Sequence, residues 1–348
     1  MDIVDININS HKYISDRTKR HVCTSNNITH WIQLNANKID LENTKFVSKY
    51  SKFLNQKNIQ IIMKCIKQNI NIVPILYKLN DDDIKLMIDS SFEYANIHML
   101  KKLHDYIVDL IIYGELIKCV INACENGHVN VVKYLHKKIK LTKQDFQLNS
   151  NVACRLACEF GYINVVKYLH KEIGLKKEDF QSRYNNCACR LVCQNGYVDV
   201  IKYLHQKIGL TKRDFQSNDN YACRWACQGG NIDVVKYLHQ VIGLTKQDFQ
   251  SDSNSACLWA CYQGNINIVK YLHREIELSR ENFQTHNNLA CRWACKNGHV
   301  DVIKYLHQEI GLTKQDFQSL DNYAYEHALK CNHNYVVEYL LKVICIFS

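Results

Sequence analysis

Proline is nearly absent from this chain: Pro74 is the single one in 348 residues. No proline-rich linker or stiff spacer can therefore be built from it. No run of 18 or more apolar residues occurs either, so no segment has the length to cross a bilayer as a helix. Lys and Arg never gather into runs of five or more, which excludes a basic tail. The motifs His-Glu-x-x-His, Gly-x-x-x-x-Gly-Lys and Gly-x-Ser-x-Gly are all missing. With them goes the sequence basis for metalloprotease, nucleotide or serine-hydrolase chemistry, so neither catalysis nor a cofactor is expected.

What is present is globular: 47% hydrophobic and 22% charged residues, enough apolar side chains for a core. Seventeen cysteines would suggest a disulfide framework in a small secreted domain. The N-terminal Met1-Asp2-Ile3-Val4-Asp5 shows no basic stretch followed by an apolar one, so reduced thiols in cytoplasm or nucleus are expected. The formal charge is +10 with a pI near 8.7. Because the basic residues are dispersed, a solvated basic surface is expected in preference to a nucleic-acid site, and an acidic protein partner fits the same charge.

Self-similarity decides the fold class. Tyr-Leu-His recurs with Leu at 135, 169, 204, 238, 272 and 306, and Leu340 continues the series. The spacings are 34 or 35 residues. Phe-Gln keeps step at Phe146, Phe180, Phe215, Phe249, Phe283 and Phe317, and glycine does so at 127, 161, 196, 230, 264 and 298. Three columns in one register predict an all-α repeat solenoid with short finger loops or hairpins, each unit burying its apolar face only against its neighbours.

Within residues 220–253, Ala222-Cys223-Arg224-Trp225-Ala226-Cys227 reads as a short first helix. Asn220, in a column with Asn151, Asn186, Asn254, Asn288 and Asn322, reads as its N-cap. Gly230 is placed to end it, Asp233 to cap the second helix, and Val234, Val235, Leu238 and Ile242 to form that helix's buried stripe. Gly243 breaks it, and Leu244 to Ser253 form the finger. Six such units are expected, at 117–150, 151–185, 186–219, 220–253, 254–287 and 288–321, with a partial one at 322–348. Residues 55–116 read as degenerate units or an N-terminal cap. There Asn96-Ile97-His98-Met99-Leu100-Lys101-Lys102-Leu103-His104 and Asn69-Ile70-Asn71-Ile72-Val73-Pro74-Ile75-Leu76 echo the second helix. Residues 1–54 carry no motif.

This pattern resembles the ankyrin repeat. Tyr221-Ala222-Cys223-Arg224-Trp225-Ala226-Cys227 stands where that family has Thr-Pro-Leu-His-x-Ala-Ala. Gly230-Asn231-Ile232-Asp233-Val234-Val235-Lys236-Tyr237-Leu238-His239 stands where it has Gly-His-x-x-x-Val-x-x-Leu-Leu. Thr-Pro is absent throughout, Arg usually replaces the motif His, and the finger is about one residue longer. The variant is similar to divergent ankyrin proteins encoded in multi-copy families by large DNA viruses of protists. The resemblance implies an intracellular scaffold that binds a partner protein along fingers and first helices. The net charge leaves one alternative open, a nucleic-acid-associated protein, and the resemblance another, a ubiquitin-ligase substrate adaptor, although no ligase-binding box is recognisable in 1–54 or at the C-terminus.

Positions that vary between units are then the expected contacts: Arg183 and Tyr184, Asn218, Asp252 and His286 at finger tips, Tyr221 after the cap. Phe160, Tyr262 and Lys296, at the ends of first helices, complete them. The Cys-x-x-x-Cys pairs at 154/158, 189/193, 223/227, 257/261 and 291/295 fall on core columns and are expected to pack, not to bind metal. Trp225, Trp259 and Trp293 are expected in the core as well. Histidines 136, 170, 205, 239, 273 and 307 are expected to pack with one ring nitrogen hydrogen-bonded. For Arg155, Arg190, Arg224 and Arg292, bonds to finger carbonyls and a basic stripe facing a partner stay open. Cys345-Ile346-Phe347-Ser348 fits a C-a-a-X box. Membrane anchoring is expected only if Cys345 is prenylated; otherwise the tail's apolar residues pack on the last unit.

Overall fold

The computed structural model of the chain describes residues 116–181 and 187–346, and within 88–107 it describes Ile88, Asp89, Ser91, Phe92, Ala95, 97–104 and Ile107. The chain divides into two compact units, Met1–Ala123 and Cys124–Ser348. In the first, the helix Ile97–Lys102 forms where the second-helix motif stands at 96–104, with Leu100 and Leu103 fully buried. The motif at 69–76 lies outside the described residues.

In the second unit, first helices pack on first helices of the neighbouring repeats and second helices on second helices. The Ala222, Cys223, Ala226 and Cys227 side chains are all buried. These small residues let neighbouring first helices approach closely. Val234, Val235 and Leu238 are buried at helical spacing, and Ile242, Leu244 and Phe249 close the repeat beneath them. Fully burying one such Leu or Phe is worth roughly 1.5–3 kcal/mol. Repetition of this set in every repeat makes one continuous core.

The turn after each first helix follows the sequence. Gly230 takes φ 76° between the helical segment ending at Gln228 and the second helix Ile232–Gln240, a left-handed backbone that glycine adopts without strain. Asn332 holds the same position in the last repeat at φ 59°.

Three expectations are corrected. The finger is neither loop nor hairpin, and no strand occurs among the described residues. It is a short helical turn, Lys143–Phe146, Lys212–Phe215 or Lys314–Phe317, opened by Thr142, Thr211 or Thr313. A local cap supplies the reason: Asp248 Oδ2 accepts from the backbone N–H of Thr245 at 2.7 Å and from its hydroxyl at 3.0 Å.

The Asn column is not an N-cap in extended backbone. Asn218, Asp219 and Asn220 lie at φ 56°, 55° and 56°, a left-handed turn that recurs at 149–151, 252–254, 286–288 and 320–322. Left-handed backbone costs an L-residue roughly 1–2 kcal/mol, and Asn and Asp tolerate it best, which accounts for the column. The Oδ1 atoms of Asn220, Asn288 and Asn322 accept no hydrogen bond.

Asp233, finally, sits inside the first turn of its helix, while Asn231 occupies the cap position. Its carboxylate there faces the positive end of the helix dipole.

Candidate functional site

A binding face is sought among side chains that the stacking leaves over, so the stacking contacts come first. Four finger carboxylates, Asp179, Asp214, Asp248 and Asp316, each join two repeats. Asp214 Oδ1 accepts from Gln181 Nε2 of the preceding repeat at 2.6 Å, and its Oδ2 lies 2.9 Å from Lys177 Nζ. Gln216 on Asp248 and Gln284 on Asp316 repeat the contact at 2.8 and 2.7 Å. Burial alone would raise the Asp214 carboxyl. The Thr211 backbone N–H, Lys177, the Thr211 hydroxyl and Gln181 outweigh it and hold the group below the ordinary value.

The histidines form a second ladder. His136, His170, His205, His239, His273 and His307 each place Nδ1 3.0 Å from a Tyr hydroxyl of the following repeat. The ring of His239 also meets Phe249 edge-on at 6.3 Å. This is the structural role expected of the column. A third set ties the turn after the first helix to the repeat before it: Asn231 donates to Gln194 O at 2.6 Å, and Asn297 to Tyr262 O at 2.7 Å.

The paired cysteines are buried, as their core columns imply. Desolvation pushes the Cys124 thiol up to about 12 and the Cys154, Cys193 and Cys295 thiols well above their ordinary value. Such thiols are not nucleophiles near neutrality. Among the described residues, no group of three or more His, Cys, Asp or Glu side chains could hold a metal ion.

Of the arginines, Arg224 and Arg292 follow the structural reading. Arg292 donates to Asn287 O at 2.9 Å and to His286 O at 2.8 Å, bracing the left-handed turn that leads into its own helix. Arg224 donates to Asn218 O at 3.1 Å and pairs with Asp252, at the far end of its own unit and the start of the next left-handed turn. Arg155 pairs with Glu159 at 3.7 Å on its own helix.

Tryptophan is where the core expectation fails. Trp225, Trp259 and Trp293 are each partly exposed. Buried Ala222, Cys223, Ala226 and Cys227 occupy one side of the helix, and Trp225 lies away from them at helical spacing. It shares a stripe with Tyr221 and Gln228, since i, i+4 and i+7 fall on one face. Ser255, Trp259 and Tyr262 make the same stripe in the next repeat, and Leu289, Trp293 and Lys296 in the one after. Trp259, Tyr262 and Trp293 form a continuous cluster across two repeats, with ring centroids 5.1–5.5 Å apart. Tyr221 lies 6.1 Å from Trp225 and beneath the Arg224 guanidinium at 3.9 Å. In the last repeat the stripe continues as Tyr323 stacked on His327 at 3.6 Å.

The structure therefore brings Tyr221, Tyr262 and Lys296 onto one stripe and adds the tryptophans to it. Asn218, Asp252 and His286 each open the adjoining left-handed turn. Phe160 stands apart: it ends its first helix, exposed, and stacks on Tyr162 at 6.4 Å. Arg183 and Tyr184 lie outside the described residues. Cys345 is exposed, but its neighbours are not free: Ile344 and Ile346 are buried, and Ile346 O accepts from Gln318 Nε2 at 2.6 Å.

Residues 188–282 match the family model described as Ankyrin repeats (3 copies). No curated protein matches the chain. Among the described residues, no helix is long and apolar enough to cross a membrane.

Proposed function

We propose that this chain, which carries ankyrin repeats, is a protein-interaction scaffold whose partner docks on the first-helix face between Tyr221 and His327. The observation that carries the reading is the partly exposed cluster Trp259–Tyr262–Trp293. Trp, Tyr and Arg are the side chains that most often anchor protein interfaces, because they bury large area at small entropic cost. The cap, glycine, His–Tyr and Asp–Gln contacts are consumed by stacking, whereas this stripe changes from repeat to repeat and is free to specify a partner. Lys296, Asn218, Asp252 and His286 would form its polar rim. Arg183, Tyr184 and Phe160 would extend the contact into the earlier repeats.

We propose that the array runs as six units from 117 to 321 with a partial unit at 322–348, and that 55–116 supplies degenerate repeats or an N-terminal cap. Its buried free thiols suit a reducing compartment such as cytoplasm or nucleus. A viral origin, action on host proteins and coupling to a ubiquitin ligase rest on the residue resemblance alone.

The test compares proteins captured by the wild-type chain and by a Trp259→Ser/Tyr262→Ser/Trp293→Ser variant from nuclease-treated extract. The three side chains are partly exposed, so the variant keeps its far-ultraviolet circular dichroism. A discrete protein retained by the wild type and lost with the variant supports the assignment. An unchanged capture profile rejects this face.

A further inference from the structure

The basic charge that looks dispersed along the sequence is concentrated. Lys and Arg exceed Asp and Glu by four in residues 117–150, by two in 151–185 and by two in 186–219. In each later unit the two signs balance. Eight of the ten net charges of the chain therefore fall in three consecutive repeats.

Within these repeats the lysines gather on the outer face of the second helices. The helix Val129–Lys137 with its C-cap exposes Lys133, Lys137 and Lys138. Ile163–Lys171 exposes Lys167 and Lys171, and the segment from Val198 to Ile208, whose last turn is a π turn, exposes Lys202 and Lys207. Two acids share the face, Glu172 and Asp199, and the other exposed side chains of these helices are Asn130, Asn164 and Gln206. Lys137 and Glu172 approach only to 3.9 Å with both side chains more than half exposed, a pairing that neutralises little. Lys133 and Lys167 lie over the rings of Tyr168 and Tyr203 of the following repeats, at 5.9 and 6.0 Å, which orders them along the stack.

We infer that this second-helix face, from Lys133 to Lys207, binds the phosphate backbone of double-stranded nucleic acid. Along the three helices no exposed side chain on it is apolar or aromatic, and the one exposed ring, Tyr197, stands off the lysine columns at the N-cap of the third. A protein partner would therefore find no anchor, a bilayer no side chain to insert, and a single strand no ring on which to stack its bases. Charge and amide donors alone remain, which is the chemistry of sequence-independent phosphate contact. The dimensions agree. Lysines one turn apart are about 6 Å from each other along a helix. The three helices at about 10 Å spacing span about 20 Å. One strand of a duplex carries about six phosphates over that length, against seven lysines and two acids. At the same columns the next repeat presents Asp233, Lys236, Gln240 and the exposed apolar Val241, and there the basic face ends.

The experiment is fluorescence anisotropy of a labelled 20-base-pair duplex titrated with the full chain from 50 to 200 mM NaCl. Binding should weaken on the order of 10³-fold across that range, the slope expected for about six phosphate contacts. A Lys133→Gln/Lys167→Gln/Lys202→Gln variant should flatten the log–log salt slope by about 2.7, since each contact contributes about 0.9. Its control, Lys236→Gln/Lys270→Gln/Lys304→Gln, makes the same change at the same columns of the charge-balanced repeats and should leave the slope unchanged. The Trp259→Ser/Tyr262→Ser/Trp293→Ser variant should also bind the duplex normally, which separates this face from the protein-docking one. Equal losses from both lysine triples, or no binding at 50 mM salt, would overturn the inference. So would a tenfold preference for phosphatidylserine vesicles or polyglutamate over the duplex at equal charge.

Discussion

His239 Nδ1 and the Tyr271 hydroxyl lie 3.0 Å apart across the junction of two repeats, and the same pair recurs at five further junctions. The bond recurs at six junctions between second helices, whereas polar contacts such as Lys137–Glu172 and Arg274–Glu309 are confined to exposed edges, so it fixes register where apolar packing alone would tolerate sliding. Tyr271→Phe removes the hydroxyl and keeps the ring. The expected cost is about 0.5–1.5 kcal/mol, read as a lowered urea midpoint. Leu238→Ala in the adjoining repeat, which removes buried carbon instead, should cost about 2–5 kcal/mol. If the two variants are equally destabilised, the ladder does more than this account allows.

The same ladder makes stability depend on pH. Burial lowers the pKa of His170 and His273 below the ordinary value, helped by adjacent Lys171 and Arg274. The unfolded chain then takes up protons more readily than the folded one, so stability is complete above about pH 6.5 and declines as pH falls through and below it. Asp214 and Asp316 act in the same direction further down. Their folded pKa values lie below 3.8, so their contribution is present above that value and lost as pH falls through the folded ones. Urea midpoints measured from pH 8 to pH 3 should fall in two stages. A flat response between pH 8 and pH 5 would contradict the histidine stage.

Asp316 provides a sharper chemical test. Its Oδ2 accepts from the Thr313 backbone N–H at 2.7 Å and from Arg280 of the preceding repeat at 2.7 Å, while Oδ1 accepts from Gln284. Asp316→Ala removes the cap and should cost about 1–2 kcal/mol. Asp316→Asn should cost less than half of that. Asn282 already fills the equivalent place, where its Oδ1 accepts from the Ser279 backbone N–H at 2.8 Å. Equal losses in the two variants would mean that charge, not cap geometry, holds the finger.

The finger also shows what the sequence made legible and what it hid. Period, glycine turns, the Phe and Leu columns and the bonded histidines follow from residue type and spacing alone. Thr245-x-x-Asp248 is itself a capping box and predicts a helix start; the resemblance to hairpin-fingered repeats points the other way, and local hydrogen bonding wins. Size and column alone place Trp225 in the core. Its i, i+4, i+7 relation to Tyr221 and Gln228 was the available signal that it faces outward. The lysine face was hidden for a different reason. Lys133, Lys167 and Lys202 are separated by 34 and 35 residues in sequence, and only stacking makes them neighbours.

Thiol chemistry should report the stack directly. Of the cysteines the structure places, Cys331 and Cys345 are exposed and the rest, from Cys119 to Cys295, are buried. In the native chain a thiol reagent at pH 8 should label Cys331 and Cys345 within minutes. The Cys-x-x-x-Cys pairs should react only with unfolding, at a rate that follows urea concentration. Peptide mapping of alkylated protein measures this site by site. Rapid native labelling of Cys227 or Cys261 would show that neighbouring first helices separate far more often than their packing implies.

Two glycines in left-handed backbone should respond in opposite ways. At Gly264, φ is 74° and an added Cβ would stand 2.4 Å from the His299 ring, whose Nε2 is engaged with Tyr262 O at 2.8 Å. The ring cannot retreat without losing that bond, so Gly264→Ala combines the roughly 1–2 kcal/mol of left-handed strain with a clash. At Gly243, φ is 80° but nothing lies within 4 Å of the new Cβ. Lys140 and Glu277 hold the same place in other repeats at φ 68° and 61°. Gly243→Asn should therefore cost no more than about 1 kcal/mol, because Asn tolerates the left-handed region and the chain already carries side chains there. Thermal unfolding of the two variants decides it. If Gly243→Asn is the more damaging, the second-helix terminus is confined by a contact other than those along the stack.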